Sequence, residues 1–222
     1  MVSFVHPPAL SLPQWRADPP GIDTTGTSFF VIAFCDLPSM RDATANSTAD
    51  ATRDATANAT ADATAHAIDE MTAATIAAPS EADAASATIA NTWLTEAEQI
   101  APTEFLSFAA FTPDTSARLT EAFAECVIGS RILIVGGQYD VLRTLALARE
   151  CGALVQELSS YVTSTTDLPL YCAHCRATSR VIGEPGGEVD CPGCNRRLEI
   201  HSHMSEVRGS FLASDVRARD LV

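Results

Sequence analysis

The chain has 222 residues, 14 basic and 28 acidic side chains, and a formal net charge of −14. That length suits one ordinary domain plus a small one. The acidic balance argues against nucleic acid as a partner, because such binders present a basic face. Residues 1–20 lack the basic-then-apolar pattern of a secretory leader, and no apolar run approaches ~18 residues. No membrane span is expected, and the predicted location is cytoplasmic. The charge is also uneven: from Tyr171 onward seven Arg face seven Asp plus Glu, so the acidic excess sits in residues 1–170.

Residues 1–27 are rich in proline (Pro7, Pro8, Pro13, Pro19, Pro20) and lack periodicity. They read as an extended arm lying on a partner or on the domain's own surface. Ser28–Phe34 is a continuous apolar run of aromatic and β-branched residues, the pattern of a strand buried on both faces. Residues 41–52 and 53–64 then repeat a twelve-residue unit, differing only at Ser47 against Ala59. With no large apolar residue from Arg41 to Ala67, little drives packing. A low-complexity, disordered insertion is therefore expected at 41–90, with order returning near Ala90.

Trp93, Leu94, Ala97 and Ile100 have helical spacing, with Asn91 or Thr95 as caps. Phe105, Leu106, Phe108 and Phe111 suggest a short strand or a packed loop. Leu119, Ala122, Phe123, Cys126 and Val127 form an apolar helical stripe that Asp114 would cap. Arg131–Val135 is a second buried strand, followed by Gly136-Gly137 and a helix over Tyr139–Glu150. Gly152 suits the left-handed position after that helix, and residues 153–158 read as another strand. A strand ending in two glycines before a helix can offer backbone N–H groups to a phosphate. Gly136 and Gly137 are thus candidate cofactor-binding residues, although Asp140 sets a negative charge beside them and G-x-G-x-x-G is incomplete.

The strongest chemical signal is Cys172-Ala-His-Cys175 and Cys191-Pro-Gly-Cys194, two C-x-x-C pairs with fifteen residues between them. Each pair turns two sulfurs toward one point, and two pairs supply a tetrahedron. Cys172, Cys175, Cys191 and Cys194 are therefore read as ligands of a structural Zn²⁺. Arg180–Ile182, the turn Pro185-Gly186-Gly187 and Glu188-Val189 suggest a hairpin, with a third strand through Leu198 and Ile200. Arg176, Arg196 and Arg197 would offset the −2 charge of a tetrathiolate zinc. His174, His201 and His203 lie nearby and could serve as ligands. A four-sulfur shell leaves no open position, so no catalytic residue is assigned. A thioredoxin-type dithiol remains an alternative, as does a free-standing ribbon that binds protein or nucleic acid.

The expected fold is α/β: a small parallel Rossmann-like βαβαβ domain followed by a C-terminal zinc ribbon. Its boundaries are an arm at 1–27, the α/β domain at 28–168, the ribbon at 169–205 and a tail at 206–222. The ordered pair of modules from Arg131, with Tyr171-Cys-Ala-His-Cys, the second C-x-x-C, His203-Met204-Ser205 and Arg208-Gly209, resembles the DmmA family, a subunit of dimethylamine monooxygenase. Met204 stands where that family carries an aromatic residue and Glu206 where it carries an Arg, and the repeat at 41–64 is foreign to it. The resemblance implies a heteromeric NAD(P)H-dependent oxygenase that converts dimethylamine to methylamine and formaldehyde. Haem, flavin and iron–sulfur centres would then sit on a haem-bearing sister subunit and a flavin/iron–sulfur reductase, with the small amine bound by the complex. This chain would not be catalytic by itself.

Overall fold

The structure is a computed structural model that describes residues 12–36 and 80–219. The repeat at 41–64 lies outside the described residues. Four strands form a parallel sheet: β1 (Ser28–Phe34), β2 (Thr103–Phe108), β3 (Ser130–Gly137) and β4 (Leu158–Ser164), in the order β2-β1-β3-β4. Helices α1 (Glu81–Glu98), α2 (Pro113–Ala124) and α3 (Gln138–Glu150) make the crossovers.

The alternation of β1 decides which helix packs where. Phe29, Val31, Ala33 and Cys35 face Ala87, Ala90, Trp93 and Ala97 of α1. Phe30, Ile32 and Phe34 face Leu119 and Phe123 of α2 and Val141, Leu145 and Ala148 of α3. One strand thus feeds cores on both faces of the sheet, which is why its sequence is apolar at successive positions. The placement of helices follows from the strand order. β1 to β2 moves one way, β2 to β3 crosses back past β1, and right-handed crossovers then put α1 on one face and α2 and α3 on the other.

Residues 81–90, expected in the insertion, are instead the first half of α1. Ser80 is the N-cap, accepting from the Asp83 N–H, while Asn91 and Thr95 lie inside the helix. The helix buries mainly Ser86, Ala87, Ala90 and Ala97 with one large side chain, Trp93. Small residues let it approach the sheet closely, and the same residues hide it from a search for large apolar positions. Helix α2 is capped by Thr112, which accepts from the Thr115 N–H, with Pro113 in the first turn; Asp114 is not the cap. The strand expected at 153–158 begins only at Leu158. Residues 155–157 form a 3₁₀ turn, and Leu154 and Val155 are exposed.

A second sheet has the order β6-β5-β9-β8-β7, built from β5 (Asp167–Cys172), β6 (Thr178–Ile182), β7 (Glu188–Asp190), β8 (Arg197–Ser205) and β9 (Ser210–Asp215). The predicted strands β6, β7 and β8 are present. However, β6 and β7 are not partners in a hairpin: β6 pairs with β5, β7 pairs with β8, and they lie at opposite ends of the sheet order. The tail expected from 206 is not a tail either. Its residues Ser210–Asp215 form the central strand β9, parallel to β5 and antiparallel to β8, with Phe211 and Ala213 buried.

The two sheets are joined. Leu142 of α3 belongs to the same core cluster as Leu168, Leu170, Leu198, Ile200 and Phe211 of the second sheet. Residues 12–27 lie on the chain's own surface. The Trp15 indole N–H donates to the Gln138 side chain at 2.8 Å, and Pro20 O accepts from the Trp93 indole at 3.0 Å. Among the described residues no helix is long and apolar enough to cross a membrane.

Candidate metal centre

The two C-x-x-C turns are local twins. The Cys172 N–H donates to Ala177 O at 3.0 Å, and the Arg176 N–H donates back to Cys172 O at 2.8 Å. In the second turn Cys191 N–H donates to Arg196 O and Asn195 N–H to Cys191 O, both at 2.8 Å. Closing the turn needs a left-handed residue at the fifth position, and Arg176 (φ 63°) and Asn195 (φ 55°) both adopt it. Asparagine enters this region readily and arginine does so at a cost. In the second turn, a Cβ on Gly193 would lie 3.3 Å from Cys175 Sγ, so the smallest residue stands where the two turns meet.

Strand pairing brings the turns together. The first follows β5, the second sits between β7 and β8, and β9 lies between those halves of the sheet. The sulfurs of Cys172, Cys175, Cys191 and Cys194 all fall within 4.8 Å of one another. Cys172 Sγ is 3.8 Å from Cys194 Sγ, and Cys175 Sγ is 3.7 Å from Cys191 Sγ. Four sulfurs placed ~2.3 Å from a common centre form a tetrahedron with edges of about 3.8 Å. The cluster therefore has the size of a tetrahedral thiolate shell and could hold a metal ion. Among the described residues no histidine joins it; His201 instead shares a 2.8 Å hydrogen bond with Ser214 Oγ.

The local electrostatics suit a cation. A hydrogen bond from the Ala177 N–H holds the Cys175 thiol below its usual range. Burial pushes the Cys191 thiol up to about 12, against N–H bonds from Gly193 and Cys194 that favour its thiolate. Four sulfurs this close cannot all lose protons unless a positive charge lies among them, and a bound metal ion reverses that balance. The second pair's arginines are committed elsewhere. Arg196 pairs with Asp215 at 2.7 Å, and Arg197 with Glu188 at 3.1 Å and Asp190 at 3.4 Å. They fasten β7, β8 and β9 around the turn, a role the sequence did not suggest.

The Gly136-Gly137 turn lies at the carboxyl end of β3. A Cβ on Gly136 would come 2.6 Å from Phe34 Cβ, so this glycine is demanded by close strand packing. Beyond it, Asp140 is 7% exposed, accepts from the Phe111 N–H at 2.7 Å, and pairs with Arg180, which also pairs with Asp167. The Arg180 guanidinium stacks 4.0 Å over the Tyr139 ring. Burial raises the Asp140 carboxyl above the ordinary carboxylate range, while the Phe111 N–H and Arg180 oppose that rise. The start of α3 thus faces two protein carboxylates bridged by an arginine. A phosphate approaching Gly136 and Gly137 would therefore meet an ion-paired triad of net charge −1.

The same triad joins the two sheets, since Asp140 begins α3 while Asp167 and Arg180 belong to the second sheet. A second joint lies at the β8–β9 turn. Gly209 (φ +57°) abuts α3 so closely that a Cβ would lie 2.3 Å from Leu142 O. Arg143 Nη1 donates to Arg208 O at 2.7 Å across this contact. An Arg-Gly pair after a strand was visible in the sequence, but nothing local said which helix it would meet.

The molecule is thus a parallel α/β unit fused to a four-cysteine β-module. Residues 169–213, which span both cysteine turns and the Arg208-Gly209 joint, match the family model described as dimethylamine monooxygenase subunit DmmA-like, C-terminal domain. No curated protein matches the chain. No solved structure matches it either.

Proposed function

We propose that this chain is a zinc-stabilised subunit of a heteromeric amine monooxygenase and that it acts as a structural or cofactor-docking component. The observation that carries this reading is the match of residues 169–213 to the DmmA-like C-terminal domain. The four-sulfur geometry supports the metal half of the proposal. Zinc is held by Cys172, Cys175, Cys191 and Cys194, and four protein sulfurs complete a structural shell with no position for substrate. The parallel α/β unit is Rossmann-like in this reading, and it packs against the module instead of offering a completed dinucleotide fingerprint.

The chemistry belongs to partners. A haem-bearing subunit and a flavin/iron–sulfur reductase fed by NAD(P)H carry the electrons, and dimethylamine is cleaved to methylamine and formaldehyde in the assembled complex. Reconstitution tests this. Amine-dependent NAD(P)H oxidation requires this chain together with both partners and falls when residues 169–215 are deleted. Full-rate turnover by the partners without it, or amine-dependent NAD(P)H and oxygen consumption by the purified chain alone, overturns the proposal. Metal analysis supplies the separate check, with zinc near one per chain expected; iron in its place would mark an electron-transfer centre, since a tetrahedral S₄ shell suits either metal.

A further inference from the structure

Outside the cysteine cluster, a second place in the molecule has the chemistry of a binding site. Between α2, α3, the start of β6 and the β8–β9 turn lies a cavity of ≈ 310 Å³ with a mainly polar lining. Arg143 and Arg208 both line it. Each guanidinium is held against an aromatic face, Arg143 5.5 Å from the Phe111 centroid and Arg208 4.4 Å from that of Tyr171. Such stacking fixes the plane of a guanidinium; Arg143 Nη1 donates to Arg208 O, and the remaining N–H groups can face the cavity.

Neither arginine has a carboxylate partner among the described residues, whereas Arg131, Arg180, Arg196 and Arg197 all do. Other described arginines also lack an ion pair, but these two share one cavity and are both stacked on aromatic rings in a chain whose net charge is −14. Ser116 and Thr178 also line the cavity and bring hydroxyl groups. One carboxylate, Glu150, lies at the same wall with no ion pair among the described residues, so two positive charges face one negative.

We propose that this cavity binds the phosphoryl group of a small-molecule ligand, with Arg143 and Arg208 as the charged donors and Ser116 and Thr178 as hydroxyl donors. A phosphoryl dianion cancels both guanidinium charges and presents enough acceptor oxygens for the paired forks. Glu150 lowers the affinity and biases the site against higher negative charge. The site is separate from the cysteine cluster and does not depend on the amine-oxygenase reading.

The test is calorimetric titration of the full, metal-loaded chain with inorganic phosphate, pyrophosphate and ADP in low-salt buffer. At least one of the three should bind. Arg208→Gln, on an exposed turn whose backbone contact to Arg143 is retained, should weaken that binding by about ten-fold or more. Glu150→Gln should move it the other way, tightening it several-fold. This opposite sign guards against a loss caused by misfolding. Tighter binding of ADP than of inorganic phosphate identifies a nucleotide as the source of the phosphoryl group, and the reverse order identifies a smaller phosphorylated compound. Absence of binding by all three, or binding unchanged in both Arg208→Gln and Glu150→Gln, overturns the site.

Discussion

The two sheets are held together by different means. In the parallel unit, β1 buries six of its seven residues and supplies both cores. In the second sheet, the outermost strands β6 and β7 bury one residue, Val181, and none. A parallel sheet with helices on both faces can be stabilised by apolar burial at ~25 cal/mol per Å². A small module with thin edge strands cannot reach the same sum, and metal sites commonly make up the difference. With the proposed zinc bound, the four-cysteine cluster, together with the contacts to α3, would do for the second sheet what β1 does for the first.

The largest effect should come from removing the metal. Chelation, or Cys191→Ser, should release zinc and open residues 169–215 to protease while the parallel unit stays protected. Structural zinc in small domains contributes an apparent ~10 kcal/mol or more. Full zinc retention in Cys191→Ser would sink the ligand assignment, and simultaneous loss of both sheets would erase the contrast between them.

Gly209→Ala attacks the joint itself. The new Cβ would meet Leu142 O, a backbone atom, and the backbone there is left-handed. A loss of about 3 kcal/mol is expected in denaturant unfolding, with the first changes in amide exchange along α3 and β9.

Arg180→Met removes the charge that bridges Asp140 and Asp167. Asp140 is left buried without its cation, and a loss of about 2–3 kcal/mol is expected near pH 7, moderated because Arg180 is 37% exposed. The pH dependence carries a definite sign. Burial raises the folded-state value of Asp140 above its unfolded value of about 3.9. Such a group contributes its full stability below the unfolded value and loses it as pH rises through the folded one. Without Arg180 the folded value climbs further, so the deficit should be smallest near pH 4 and grow toward neutrality. A deficit independent of pH would mean that Arg180 acts by packing on Tyr139 instead of by charge.

The smallest effect compares the two cysteine turns with each other. Arg176→Asn gives the first turn the left-handed residue that the second already has, and stability should rise by a few tenths to about 1 kcal/mol. The thermal midpoint of the metal-loaded chain reads this. A drop would show that the Arg176 charge beside the cluster outweighs its backbone strain.

Legibility differed between these parts for physical reasons. The cysteine spacing announced the cluster because a tetrahedral shell accepts few ligand types and each pair is a local turn. The buried strands β1 and β3 announced themselves because parallel strands covered on both faces must be apolar throughout. Helix α1 was half missed because its buried face is mostly alanine and serine, continuous in composition with the repeat before it. The start of β4 was misplaced because Leu154 and Val155 are apolar yet exposed, bordering a cavity of ≈ 340 Å³ with Phe123 and Cys126.

By itself, then, the sequence determined the parallel α/β class, the strands β1 and β3, the course of α3 and the four clustered cysteines, all features set by local periodicity or by ligand geometry. The tertiary structure alone decided the strand orders, the central place of β9, the separation of β6 from β7, the triad of Asp140, Arg180 and Asp167, and the pairing of Arg143 with Arg208. Each of these depends on which distant surfaces meet. An isolated Arg or Asp reads the same whether it faces water or a partner 13 or 40 residues away, because burial and pairing are properties of the assembled fold and not of the local chain.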